Sequence, residues 1–304
     1  MTAASVTVRV PAKVNVQLAV GGLRPDGFHD LANVFLAVGL YDHVTAAPAA
    51  GLRISGEGRD IESVPLDASN LAARAAIVLA ERHGIEPRVH LHLRKDIPVA
   101  GGMAGGSADA AGALVACDAL WGLGTPREEL LAICAELGSD VPFALAGGAA
   151  LGVGRGEILT PLEVGGAFHW VFAAAEGGLS TPAVYRECDR LRRERGAGDG
   201  VDDVAVPAAD PRLLDALRAG DVHALAATLS NDLQSAALSL RPDLARTLRA
   251  GEDAGALAAV VSGSGPTCAF LVSDEETAAK LAHALGPAAR PAPAPAPGAT
   301  LLPA

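Results

Sequence analysis

The chain has 304 residues, half of them hydrophobic, and a formal net charge of −11. That length accommodates two domains or one large one, with ample material for a packed core. The acidic balance argues against nucleic acid, which calls for a basic footprint, and no apolar run reaches the ~18 residues of a membrane span.

In chain order, Met1–Ser5 passes directly into strand-like alternation without the apolar core of a signal peptide, so a soluble cytoplasmic protein is expected. Val6, Val8 and Val10 alternate with polar residues, and after Pro11 the alternation resumes through Ala12, Val14, Val16, Leu18 and Val20. Lys13, Asn15 and Gln17 therefore share one strand face. Turns at Gly21-Gly22 and Arg24–Gly27 lead to a further strand over Leu31–Tyr41. Asn70–His83 has helical spacing and Val89–Leu93 alternates as a strand, with His90 and His92 on its polar face rather than as a metal pair. A glycine-dense loop then enters a helix-like run, Ala108–Leu120, and Pro126–Leu137 reads as a helix with Thr125 as N-cap and Pro126 at its first position. Gly138–Pro142 is a turn carrying a carboxylate, followed by a second glycine region, Gly147–Gly156.

Trp170–Ala175 is a buried-strand candidate, and Arg195–Pro207 is polar and irregular. Helical patterns follow over Pro211–Leu217, His223–Leu229 and Leu244–Ala250, then strands over Ala258–Ser262 and Cys268–Val272, and a last helix over Glu275–Leu285. From Pro287 onward the alternating Pro/Ala tail is expected to be a disordered extension, since proline denies it donors. The four cysteines lie far apart without a C-x-x-C pair and read as buried small hydrophobes in a reducing compartment. Mixed strands and helices indicate an α+β protein with a domain boundary near residue 155.

The loop Pro98-Val-Ala-Gly-Gly-Met-Ala-Gly-Gly-Ser-Ala108 carries the clearest chemistry. A glycine-rich turn into a helix leaves backbone N–H groups unpaired and aims the positive end of the helix dipole outward, which suits phosphate. Ser107 adds a hydroxyl within reach of a phosphate oxygen. The loop is not a Walker P-loop, which needs a lysine before its Ser/Thr, and no acidic residue completes a dinucleotide fingerprint.

Pro11-Ala-Lys-Val-Asn-Val16, Pro98–Ala108, Gly138-Ser-Asp-Val-Pro142 and Ser262-Gly-Ser-Gly-Pro-Thr267 stand in an order and spacing that resembles the galactokinase, homoserine kinase, mevalonate kinase and phosphomevalonate kinase (GHMP) superfamily. The likeness runs over nearly the whole chain except the tail. It implies a two-domain α+β fold. An N-terminal domain like a ribosomal-protein α/β domain would span 1–155, and a ferredoxin-like, substrate-binding domain 156–286, with the tail at 287–304. Pro11–Leu18, Arg24-Pro-Asp-Gly-Phe-His-Asp30 and Gly154-Arg-Gly-Glu157 are similar to one branch of that superfamily. Its members use ATP to phosphorylate the 2-hydroxyl of a cytidine-diphosphate ester of methylerythritol, on the non-mevalonate route to isoprenoid precursors.

The resemblance implies ATP and Mg2+ as cofactors and a small-molecule substrate, with no nucleic-acid or membrane partner; magnesium ligands and oligomeric state stay unassigned. Asp140 would accept the proton of the attacking hydroxyl, and Lys13 would offset charge on the transferring phosphoryl group. Read alone, Lys13 is equally an exposed strand lysine and Asp140 a turn former. Pro98, Val99, Ala100, Gly101, Gly102, Met103, Ala104, Gly105, Gly106, Ser107 and Ala108 would hold ATP, with Asn70 on the adenosine side. Asn15 and His29 would meet the cytidine end, Phe28 and Tyr185 would sandwich the cytosine ring, and Thr181 opens the Thr181-Pro-Ala-Val-Tyr185 segment beside it. Two departures stand out. Ser107-Ala108-Asp109 replaces the Ser-Ser-Asn of many relatives, placing a carboxylate where an amide would meet nucleotide, and Phe28 replaces a tyrosine. Another GHMP kinase, of homoserine or mevalonate type, is opposed by Asp26-Gly-Phe-His29. A catalytically inactive nucleotide-binding regulator is opposed by the retention of Lys13 and Asp140.

Overall fold

The computed structural model describes residues 5–196 and 203–303, so residues 197–202 of the polar stretch read above lie outside it. Two very long strands organise the first layer, β1 (Val6–Leu23) and β2 (His29–Pro48), joined by the Arg24–Phe28 turn and paired antiparallel. The early half of β2 pairs with β5 (Ala149–Gly154), which pairs in turn with β6 (Ile158–Leu162). Its later half pairs with β4 (Val89–Lys95), which carries β3 (Arg53–Gly58) in parallel. Against this sheet pack α1 (Leu71–Arg82) and α2 (Gly105–Trp121), followed by α3 (Arg127–Leu137) and α4 (Val141–Ala146).

Alanine makes the α1/α2 layer thin. Ala72, Ala75, Ala76, Ala110, Ala111 and Ala113 are fully buried in one core with Val8, Val10, Val44 and Leu91. Gly112 shows how close the approach is, because a Cβ there would lie 2.7 Å from Val10 and 2.8 Å from Val44. The dearth of aromatics in the composition follows from this spacing, since small side chains let the helices settle onto the valine face of the sheet.

The second layer is a four-stranded antiparallel sheet in the order β11 (Ala289–Ala294), β7 (Phe168–Ala173), β10 (Cys268–Val272), β9 (Ala258–Val261). It is flanked by α5 (Thr181–Glu194), α8 (Gln234–Leu240), α9 (Leu244–Asp253) and α10 (Glu275–Leu285); α6 (Pro211–Ala219) and α7 (Val222–Ala226) connect them. A two-residue strand, β8 (Ser230–Asn231), returns to pair with β1.

The tail departs from expectation. It is ordered: β11 forms an edge of the second sheet, and β12 (Thr300–Leu301) pairs with β1 in the first. An edge strand needs donors on one side only, so proline is tolerated there. Pro291 and Pro293 face solvent while Ala289, Ala292 and Ala294 are buried. Between these strands, Ala296 N–H donates to Ala37 O and Ala299 N–H to Ala144 O, lacing the two sheets together. The boundary expected at 155 also moves, because β6 closes in the first sheet at Leu162 and the second begins at Phe168. At α3, Pro126 itself is the N-cap and Thr125 instead shares a hydrogen bond with His83 at 2.9 Å.

Candidate active site

A cavity of about 970 Å3 opens between the two layers. Its floor is the face of β1 that carries Lys13 and Asn15, and its walls are the glycine loop, the Gly138–Asp140 turn, the start of α5 and the Gly263-Ser264 turn. Nearly all the residues expected to act together line it: Lys13, Asn15, Phe28, His29, Asp140, Thr181 and Tyr185, with Ala100, Gly101, Gly102, Ala104, Gly105, Gly106 and Ser107.

The loop has the form required for anion binding. α2 starts at Gly105, earlier than its apolar pattern indicates, and its N-cap is Ala104, which offers no side-chain acceptor to the first-turn N–H groups. Gly105, Gly106 and Ser107, the residues of that first turn, line the cavity, and a helix start of this kind suits an anion. Ala100 and Ala104 hold positive φ angles of 52° and 61°, a strained conformation for residues with a Cβ. Four of the expected loop residues turn away: Met103 and Ala108 are fully buried in the helix–sheet core, while Pro98 and Val99 do not reach the cavity.

Asn70 does not line the cavity either. Its Oδ1 accepts from Ala72 N at 2.8 Å as the N-cap of α1, and its Nδ2 donates to Pro65 O at 2.7 Å in the preceding loop.

Lys13 is held without latitude. Nζ donates to Asn15 Oδ1 at 2.6 Å and to Gly102 O at 2.8 Å, and Asn15 Nδ2 donates onward to Asn33 Oδ1 at 2.6 Å. Burial pulls the Lys13 pKa below its ordinary value, and the Asp140 charge pushes it back up. A desolvated ammonium tied to the loop backbone and facing a carboxylate is a preorganised partner for developing negative charge.

At the other end, His29 Nε2 and Asp189 Oδ1 are 2.9 Å apart and both side chains are buried. The His29 ring stacks on Tyr185 with centroids 5.0 Å apart, and the Arg155 guanidinium lies 5.0 Å over the Phe28 ring. Thr181 Oγ1 and Ser264 Oγ are 2.8 Å apart, which ties the start of α5 to the glycine turn after β9. Sequence reasoning missed Asn33 and Asp189, and it singled out Arg155 and Ser264 only as members of their motifs, without a role. The only local signal for Asp189 is its position four residues after Tyr185, on the same helix face.

Comparison with known proteins bears on this arrangement. The GHMP kinases N terminal domain matches residues 70–148 and the GHMP kinases C terminal matches residues 213–290. A 4-diphosphocytidyl-2-C-methyl-D-erythritol kinase of Streptomyces avermitilis is 70% identical over 303 residues, 98% of this chain and 100% of the relative. The chain belongs to this family of GHMP kinases. A kinase of the same name from Thermobifida fusca is 59% identical over 289 residues, covering 92% of this chain and 91% of its own. A crystal structure of 4-(cytidine 5'-diphospho)-2C-methyl-D-erythritol kinase superposes with a TM-score of 0.77 at 31% identity, covering 95% of this chain and 99% of that one. A homoserine kinase from Cytophaga hutchinsonii, with a TM-score of 0.72 at 20% identity over 98% of this chain and 97% of its own, shares the fold. Among the described residues no helix is long and apolar enough to cross a membrane, and no group of three or more His, Cys, Asp or Glu side chains is placed to hold a metal.

Proposed function

We propose that this GHMP kinase transfers the γ-phosphoryl group of ATP to the 2-hydroxyl of 4-diphosphocytidyl-2-C-methyl-D-erythritol. The observation that carries the reading is the convergence of Lys13, Asp140 and the uncapped start of α2 on one cavity. Phosphoryl transfer asks a protein chiefly for positioning and charge stabilisation. The first-turn N–H groups of α2 hold phosphate oxygens, Asp140 takes the proton of the attacking hydroxyl, and Lys13 faces the equatorial oxygens as charge builds on them. The Ser107 hydroxyl and a carboxylate of the cavity would help the phosphates hold a magnesium ion brought in with the nucleotide, which would supply charge neutralisation; such oxygen donors suit a hard cation that keeps several waters.

The substrate reading rests on family membership together with the other end of the cavity. Phe28 and Tyr185 offer aromatic faces, His29 offers a ring nitrogen, and Arg155 and Arg186 bring positive charge for a diphosphate. The test is ADP release with Mg-ATP and 4-diphosphocytidyl-2-C-methyl-D-erythritol, set against homoserine and mevalonate. Turnover with the cytidylyl substrate, lost in Asp140→Asn with ATP binding retained, is expected. Full turnover in Asp140→Asn would overturn the assignment of the base, and turnover only with another alcohol would overturn the substrate.

A further inference from the structure

Behind the glycine loop, outside the cavity, three buried charged side chains meet that the phosphoryl transfer does not use. Lys95, the last residue of β4, is 1% exposed, Asp42 on β2 is 0% and Asp109 on α2 is 3%. Lys95 Nζ donates to Asp42 Oδ2, to Asp109 Oδ2 at 2.5 Å and more weakly to Gly105 O at 3.4 Å. The other oxygen of Asp42 accepts two backbone bonds, from Asp96 N at 2.7 Å and Ile97 N at 2.9 Å. Asp96 and Ile97 are where the chain enters the loop, and Gly105 and Asp109 are where it leaves. One ammonium and one carboxylate thus grip both ends of the same loop. The ends run in close contact, since a Cβ on Gly105 would sit 3.2 Å from Ile97 Cγ2.

We propose that Asp42, Lys95 and Asp109 form a clasp that fixes the two ends of the glycine loop, making Asp109 a positioning residue for the nucleotide phosphates. This reverses the expectation that its carboxylate would confront nucleotide, and the proposal rests on the reading of the loop as the ATP site. Stability alone does not account for the cluster. It buries two carboxylates against one ammonium, and Asp109 Oδ1 is buried without a hydrogen-bond partner. Buried ionic groups of this kind are often matched or bettered in stability by apolar side chains of similar size. What they provide here is a fixed span. Between the clasped ends the backbone takes positive φ at Ala100, Gly102 and Ala104, a set of conformations that persists only where the surroundings over-determine it. Releasing one arm lets the loop relax and its N–H groups leave their common focus.

The test uses the full-length enzyme with Asp109→Ala, and Asp109→Asn as the conservative variant that keeps an acceptor for Lys95. Calorimetric titration of the wild type with Mg-ATP tests the site reading by itself. For the clasp, the KM for ATP in Asp109→Ala is expected to rise about 10- to 100-fold, the scale of a ~1 Å misplacement. The KM for the cytidylyl substrate should stay at its wild-type value, and Asp109→Asn should recover part of the loss. Hydrogen exchange should accelerate in peptides covering residues 97–107 and not in β10. A folded Asp109→Ala variant with wild-type ATP KM and wild-type exchange over 97–107 overturns the proposal, as does an equal rise in both KM values. Should Asp109→Ala fail to fold, the same two readouts on Asp109→Asn decide. If the wild type binds no ATP, the site reading falls and the exchange measurement still decides whether the clasp holds the loop.

Discussion

Gly102→Ala is the sharpest single test of how the site is held. Gly102 sits at φ +74°, where an added Cβ would lie 2.1 Å from Ser262 O and 3.0 Å from Gly265 N. An L-residue in the left-handed region costs about 1–2 kcal/mol. The overlap with a backbone carbonyl cannot be relieved by a rotamer change, so the loop or the Ser262 turn must retreat by about 1 Å to reach an ordinary contact. Gly102 O is itself an acceptor, taking Lys13 Nζ at 2.8 Å and Ser262 Oγ at 3.1 Å. Stretching the bond from a buried ammonium forfeits about 1.5–3 kcal/mol. The sum, about 2.5–5 kcal/mol, does not exceed the ~5–15 kcal/mol stability of ordinary proteins, so the variant should fold with a lowered urea midpoint. Turnover should fall by about 100-fold, because the displaced acceptor carries Lys13 away from its position. Urea denaturation and steady-state ADP release measure the two effects. A variant with the wild-type midpoint and turnover would show that loop and turn do not touch as described.

Gly106→Ala should behave in the opposite way. The nearest atom to an added Cβ is Leu71 Cδ1 at 3.8 Å, so stability should hold or rise by up to ~1 kcal/mol while the methyl group covers the phosphate face and raises the ATP KM; unchanged KM would refute it. Asp109 gives a pH signature, since burial pushes its carboxyl up to about 7, and Lys95 only partly opposes that shift. The folded protein then holds a proton that the unfolded chain releases, so this group's contribution to stability is fully present below about pH 4 and is lost as pH rises towards 7. Asp109→Asn should lack that slope, and identical pH dependences of the urea midpoint in the two proteins would disprove it. Burial also pushes the Cys117, Cys134 and Cys268 thiols up to about 12, and all four cysteines are buried and free. A thiol reagent at pH 8 should therefore modify the protein only after urea; rapid labelling of the native protein would contradict this.

The parts of the site that a reader of the sequence recovers are those written in contiguous residues. The alternation through Val14 and Val16 places Lys13 and Asn15 on one face, and the paired glycines before α2 announce an anion site. What escapes is set by partners far along the chain. Asp189 meets His29 across 160 residues, and Lys95 meets Asp42 across 53, without any local periodicity to signal either pair. α5 hides its buried Val184 and Cys188 among arginines and glutamates, so its charge obscures its amphipathic stripe. The second glycine region concealed β5 because glycine lowers strand propensity, while pairing along β2 more than compensates. In the tail, proline content points to disorder, yet the alanines between the prolines carry the pattern of a half-buried edge strand.

These long-range ties explain why the cavity lies between two layers without being loose. The glycine loop belongs in sequence to the first layer, yet Thr267 N–H donates to Gly101 O and Ser262 Oγ donates to Gly102 O, both from the second. Lys13 N–H donates to Met103 O, so β1 holds the same loop by its backbone as well as by the lysine ammonium. The N–H groups proposed to bind phosphate and the lysine proposed to act on it therefore share their supports, and a displacement of one displaces the other. Such coupling suits a reaction in which the protein contributes little covalent chemistry and much alignment. It also means that single substitutions in the loop should lower turnover and ATP affinity together, while changes at Phe28 or Tyr185, which touch none of these supports, should act on the cytidylyl substrate alone.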